Sequence, residues 1–537
     1  MKRCSQRNRV ETDETMKFCR NDGAVLVGGS AAAAERAFRA EVVAMKKILI
    51  LIALLLISTT QVRNPEAHPT LGTQSLLQPC DVPGLPGKVK CGLLEVFENR
   101  ASRKGRKICL KIVVLPATGA EHSPDPLFYI PGGPGSSATE DAPDVATELA
   151  EIRERHDLVF PDQRGTGGSN PLNCELFNAS DAQSYLGYFF PLEAVKKCRQ
   201  QLEKVADLSL YTTPVAMDDL DDVRAALGYD RINILAGSYG TRAALVYLRQ
   251  HPEHVRTMVL QGVAPTNEFM PKDFPQGNER ALQGVIEECA ADEACHSAFP
   301  DLPTEAKSVL NRLLQGPVEV ELNNAPSGGS GSAASIVKVK LSRDLAAEAI
   351  RYMLYNPAAA SRVPLILHQA ATGNFVPLAQ NALLFRKRLV ASGSNGLYLS
   401  ITCAEDLPWI KPGEGEGLGA NTYLGDYRLR QQREACALWP RAEIPSGYSD
   451  PVRGTAPVLI LTGQWDPVTP PANGDTVARY LPNSLHIVVP HGGHGLGGLE
   501  NIECIEKLVT QFIDEGTTTK LNPDCVKKIR RKGFAVK

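Results

Sequence analysis

Ile232-Asn233-Ile234-Leu235-Ala236-Gly237-Ser238-Tyr239-Gly240-Thr241, continuing as Arg242-Ala243-Ala244-Leu245-Val246-Tyr247-Leu248, is the stretch from which the rest of the chain can be read. An apolar run short enough for a buried strand ends in small residues that hold a serine, and an Ala/Leu-rich helical run starts at once. This is the strand–turn–helix grammar of a nucleophile elbow, in which the serine sits on a sharp, strained turn with its hydroxyl exposed. Small neighbours are needed because the helix doubles back close to the strand. The helix start also aims free N–H groups at any anion formed above Ser238. Ala236 takes the first position of the G-x-S-x-G pattern, where glycine is usual.

Strand-like and helical runs alternate on both sides of this stretch. Val89–Phe97 and Lys107–Leu115 read as a hairpin around the polar Asn99–Arg106 turn. Pro126–Ile130 is a short strand running into Pro131-Gly132-Gly133-Pro134-Gly135. A helical stretch from Val145 to Arg155 leads to a strand at Asp157–Phe160 and then to Asp162-Gln163-Arg164-Gly165. Helix Val215–Leu227 precedes the elbow strand, and Thr257–Leu260 follows the elbow helix. The alternation predicts an α/β fold, a mostly parallel sheet with helices on both faces. Its ligand site belongs at the carboxyl ends of the strands, where the glycine-rich segments fall.

From residue 271 to 451 the rhythm changes to helix-rich sequence, broken by Val318–Leu322 and Ile336–Leu341 with a Gly/Ser-rich linker between them. This predicts a large inserted helical cap between a first core part, 75–270, and a second, 452–537. The core rhythm returns at Pro457–Pro467 and at Leu485–Gly495, and a closing helix spans Ile502–Glu515.

The chain has 537 residues, with Lys+Arg 58 against Asp+Glu 60, so nothing in its charge points to nucleic acid. Met45 precedes Lys46-Lys47 and the apolar run Ile48–Ile57, the proportions of a secretory signal peptide over residues 45–61. Residues 1–44 then read as an upstream extension, and the apolar run is too short for a stable membrane anchor. Export predicts an oxidising compartment. Local spacing suggests Cys80–Cys91, Cys174–Cys198, Cys289–Cys295, Cys403–Cys436 and Cys504–Cys525, with Cys109 left over as an expected buried thiol; spacing alone does not fix the connectivity. No spacing resembles a zinc set, so neither a metal nor a cofactor is expected.

A serine hydroxyl needs an imidazole to take its proton, and the imidazole needs a carboxylate to fix its tautomer. Downstream of Ser238, Asp466 stands at one predicted strand end and His494 at the next. The order Ser, acid, His is that of the α/β-hydrolases. His491 competes for the third role, but His494 stands further from the strand, past Gly492 and Gly493. The expected oxyanion donors are the backbone N–H groups of Tyr239 and Gly133.

With these residues in view, Gly132-Gly133-Pro134-Gly135, Asp162-Gln163-Arg164-Gly165, Gly237-Ser238-Tyr239-Gly240, Asp466 and His494 resemble the proline iminopeptidase and tripeptidyl aminopeptidase family of serine peptidases. The likeness is nearest to the secreted tripeptidyl aminopeptidase-like branch. It implies an α/β-hydrolase fold and removal of residues from the free amino end of peptides. Pro131 and Ala236 depart from the family pattern in ways that bear on substrate preference more than on reaction type. Asp162 and Arg164 are expected to form a structural ion pair beneath the site. Recognition of a free amino terminus calls for a desolvated carboxylate facing the ammonium, and Glu405, in Thr402-Cys403-Ala404-Glu405-Asp406, is the candidate.

Overall fold

Short apolar strands, most of them buried along nearly their whole length, build one nine-stranded sheet. The computed structural model describes residues 76–85, 87–324, 335–391 and 393–537, which fall in one compact unit. The upstream extension, the signal-peptide stretch and residues 325–334 of the Gly/Ser-rich linker lie outside the described residues. The strands of three or more residues are β1 (Leu77–Pro79), β2 (Lys90–Phe97), β3 (Lys107–Leu115), β4 (Leu127–Ile130), β5 (Leu158–Pro161), β6 (Ile232–Gly237), β7 (Val255–Gln261), β8 (Val318–Asn324), β9 (Ser335–Leu341), β10 (Val458–Gly463) and β11 (Ser484–Val489).

The sheet order is β1-β2-β3-β5-β4-β6-β7-β10-β11. Strands β1 to β3 pair antiparallel and β3 joins β5 antiparallel, while every pairing from β5 onward is parallel. The chain steps outward from β4 to β5 and then crosses back to β6 on the other side of β4. The gap between the β4 and β6 ends is therefore the topological switch point, where open α/β sheets hold their ligands.

One face of the sheet packs on helices Leu192–Leu202, Thr213–Ala226 and Tyr239–Gln250. The other packs on helices Ala138–Glu148 and Glu503–Glu515. The first of these starts seven residues before the expected Val145. Ser137 caps it by accepting the Glu140 N–H at 3.1 Å, and Pro143 lies inside it rather than breaking it. The central strands are buried on both sides; β10, for example, has no exposed residue.

Between β7 and β10 no strand joins the main sheet; β8 and β9 form a separate antiparallel hairpin. Most helices of this segment pack around a second apolar core, while helix Asn395–Glu405 packs its Leu397, Leu399 and Ile401 into the core of the main sheet. All five expected disulfides are present. Cys109 corrects the expectation of a leftover thiol: it too is disulfide-bonded, a link that pairing cysteines by local spacing did not reveal.

Candidate active site

Ser238 follows the last residue of β6 with φ +54° and ψ −127°, a conformation rare for a residue with a side chain and typical of strained functional turns. Its N–H donates to Gln261 O at the end of β7, 2.9 Å away, and its carbonyl accepts from Thr241 N–H at 2.9 Å and Thr241 Oγ1 at 2.6 Å. The backbone around the hydroxyl is thus held from two sides. A Cβ on Gly132 would stand 2.9 Å from Ser238 Cβ, so only glycine lets the loop after β4 lie against the serine. Ala236 is 1 % exposed in the core, aligned with Ile130 on one neighbour and Leu260 on the other, so its methyl fits where the pattern has glycine.

Asp466 follows β10 and is fully buried. Its Oδ1 accepts the N–H groups of Val468 at 2.9 Å and Thr469 at 2.8 Å. Its Oδ2 accepts the Thr469 hydroxyl at 2.8 Å and faces His494 Nδ1 at 2.8 Å. Thr469 Oγ1 also lies 3.0 Å from that nitrogen. Two acceptors at Nδ1 assign the proton to it and leave Nε2 as the basic nitrogen. On the far side, the Tyr355 ring meets the imidazole edge-on, with centroids 4.9 Å apart.

A Cβ on Gly262 would stand 3.1 Å from His494 Cε1, and Gly262 follows the Gln261 whose carbonyl holds the Ser238 N–H. Serine and histidine therefore border the same two residues at the end of β7. Among the described residues no hydrogen bond joins Ser238 Oγ to the imidazole; such bonds commonly form only with substrate in place. His491 faces elsewhere, its Nδ1 2.7 Å from Glu288 Oε1.

Gly133 has φ +115°, and a Cβ there would meet Gly135 N at 2.7 Å. Gly135 O accepts from Ser394 N–H at 2.9 Å, so the insertion clamps the glycine loop. The Tyr239 N–H opens its helix and has no intrahelical acceptor. Its side chain is 1 % exposed, with the hydroxyl 2.7 Å from Thr213 Oγ1.

Two expectations need correction. Glu405 is fully buried, not placed to face a ligand. Its carboxylate accepts Thr213 N–H at 2.6 Å, the Thr213 hydroxyl at 2.7 Å and the Tyr448 hydroxyl. It lies at the end of helix Asn395–Glu405, which locks onto the core there, and burial pushes its titration upward. Asp162 and Arg164 do not pair with each other. Asp162 accepts from Ser137 Oγ at 2.7 Å, Thr139 N–H at 2.9 Å and Gly168 N–H at 2.8 Å. Arg164 instead grips Asp219 through Nε at 2.6 Å and Nη2 at 2.9 Å.

Thr469 and Tyr355 join the site without a functional motif of their own in the sequence. For Thr469 the local signal was Asp466 itself, an Asx-turn former whose carboxylate takes the N–H two residues on, at Val468, and so brings Thr469 alongside; Tyr355 had none. Asp221, His251 and His254 bring possible metal-ligand atoms within 4.8 Å of one another. However, Asp221 Oδ1 already accepts from Arg224 Nε at 2.7 Å and Tyr247 OH at 2.9 Å, so the cluster is an ion-pair network.

The family model described as alpha/beta hydrolase fold matches residues 125–497. Serine protease Hip1 of Mycobacterium tuberculosis is 26% identical over 534 residues, covering 89% of this chain and 96% of the relative. Tripeptidyl aminopeptidase of Streptomyces lividans is 26% identical over 466 residues, covering 82% and 84%. Carboxylesterase B of M. tuberculosis is 24% identical over 473 residues, covering 81% and 86%.

Proposed function

The chain belongs to the α/β-hydrolase fold family, and on that premise we propose that it is an exported serine peptidase releasing short peptides or amino acids from the free amino end of peptide substrates. The observation that carries the reading is the 2.8 Å contact between His494 Nδ1 and a fully buried Asp466, beside a serine held at positive φ. The likeness to Hip1 and to tripeptidyl aminopeptidase, across most of the chain, supports peptides as the substrate class.

In this mechanism His494 Nε2 takes the Ser238 proton as Oγ attacks the scissile carbonyl. Asp466 holds the ring in that tautomer and stabilises the imidazolium. The N–H groups of Tyr239 and Gly133 receive the oxyanion. His494 then protonates the leaving amine, and water hydrolyses the acyl-enzyme by the same base. The insertion, clamped to the glycine loop through Ser394, restricts access to peptide ends. Export rests on the 45–61 stretch, and the five disulfides fit an oxidising compartment. No described helix is long and apolar enough to cross a membrane.

A serine-directed phosphonate is expected to label the wild type and not Ser238→Ala. Digestion of a peptide pool should release fragments from unblocked amino ends and spare acetylated ones. Release from blocked peptides would refute the exopeptidase reading, and failure of labelling would refute the nucleophile. The match to carboxylesterase B favours a second reading, an esterase using the same residues. Faster turnover of acyl esters than of aminoacyl arylamides would select it.

A further inference from the structure

Inside the insertion, Arg351, Arg386 and Arg428 are each no more than 3 % exposed, and the carboxylate buried among them is Glu348. Glu348 is taken by Arg351, through Nε and Nη2 at 3.1 Å each, and by the Tyr427 hydroxyl. Arg386 donates to two backbone carbonyls, Tyr185 O at 3.1 Å and Tyr188 O at 2.8 Å. Arg428 is different. Its guanidinium lies over the Phe189 ring, 3.5 Å from the centroid, and Nη2 makes one long bond to Tyr398 OH at 3.3 Å. Its Nε and Nη1 are buried with no hydrogen-bond partner.

All the donors of a guanidinium lie in its plane. Stacking on Phe189 therefore satisfies the face of Arg428 and leaves Nε and Nη1 on its edge unpaired. A buried cation with unused donors is costly unless an anion completes it, and a carboxylate fits that edge with two parallel bonds. The surroundings connect this edge to the reacting centre. Tyr398 lies on the helix whose cap residue, Ser394, donates to the glycine loop. Arg351 Nη1 donates to Tyr355 OH at 2.7 Å, and the Tyr355 ring meets His494. Tyr352, Tyr355 and Tyr398 are each partly exposed, so the rings around this cluster reach the surface although the Arg428 donors do not.

We propose that Arg428 binds a carboxylate of the substrate, so that the enzyme selects peptides carrying an acidic group within reach of Ser238. The carboxylate has two possible sources, an Asp or Glu side chain or the carboxyl terminus of a short peptide. The inference rests on the peptidase reading above.

The test compares peptides identical except for Glu or Gln at successive positions, and for a free or amidated carboxyl end. Each pair is measured by turnover in the wild type and by calorimetric binding to Ser238→Ala. The expected result is a preference for the acid of about tenfold or more, the size of a charge-assisted hydrogen bond. The preference should appear either at one residue position or at the carboxyl end, which identifies the source. Arg428→Met should abolish the acid-to-amide ratio, and Arg428→Lys, which keeps the charge but not the fork, should restore part of it. Phosphonate labelling of Ser238 in each variant checks that the fold survives. Equal handling of acid and amide by the wild type, or a ratio that persists in both Arg428 variants, overturns the inference while leaving the peptidase intact. Arg428-dependent binding of acidic peptides to Ser238→Ala, with none of them cleaved by the wild type, keeps the anion site and overturns the peptidase reading.

Discussion

Each oxygen of Asp466 takes two partners, and Thr469 supplies a donor to both, through its N–H to Oδ1 and its hydroxyl to Oδ2. The same hydroxyl stands 3.0 Å from His494 Nδ1, so it helps hold the ring as well as the acid. Thr469→Val keeps the shape and removes the hydroxyl. A lost hydrogen bond of about 0.5–1.5 kcal/mol predicts a fall in kcat of about 2- to 12-fold. KM should stay in place, because the bond acts through His494 and not on the ligand. Steady-state kinetics check this, and an unchanged kcat would remove Thr469 from the site. Asp466→Asn leaves the wrong tautomer facing the serine and should cost about four orders of magnitude in kcat.

At the scale of elements, the elbow depends on how closely its helix approaches β4. A Cβ on Gly240 would run into Ile130 O and stand 2.6 Å from Pro131 O, both backbone atoms at the strand end. Gly240→Ala must push the helix off β4 and with it the glycine loop, at about 1–3 kcal/mol for overpacking. Gly237, three residues earlier, has open space where its Cβ would be and no positive φ. Gly237→Ala should therefore melt like the wild type while Gly240→Ala melts several degrees lower. Thermal denaturation of the pair tests whether close approach, rather than glycine content, shapes the turn. The insertion is joined to this element by Arg242, one turn after Ser238, whose Nη1 meets Asp406 at 2.7 Å with both side chains fully buried.

Across the whole molecule, the junction between core and insertion carries a pH dependence. Burial pushes the Glu268 carboxyl from 4.5 up to about 8, against the opposing pull of Arg242 and of the bond from Asn473. The folded state thus holds a proton that the unfolded chain releases, so stability falls as pH rises from about 4.5 to about 8. Glu268→Gln removes that loss. It should narrow the difference in Tm between pH 5 and pH 8 and raise Tm at pH 8; an unchanged difference would contradict the assignment. The disulfides act at the same scale. Cys403–Cys436 ties helix Asn395–Glu405 to helix Tyr427–Cys436, the two that carry Tyr398 and Arg428. Replacing both cysteines by alanine should lower stability by about 2–4 kcal/mol, measurable by denaturant unfolding.

The sequence by itself determined what depends on neighbours along the chain: the elbow around Ser238, the alternation of strands and helices, and the strand ends at Asp466 and His494; it suggested five local cysteine pairs, which the structure then closed. These signals are local because period, turn chemistry and loop length act over a few residues. Only the tertiary structure decided which partners meet across long separations. It placed Arg164 on Asp219 and not on Asp162, enclosed Glu405 between Thr213 and Tyr448, and brought Tyr355 from the insertion onto His494. It also left Arg428 buried with two donors unpaired. A charged residue looks the same in sequence whether packing pairs it, encloses it or leaves it waiting for a ligand, because burial and partner geometry arise only when distant segments fold together.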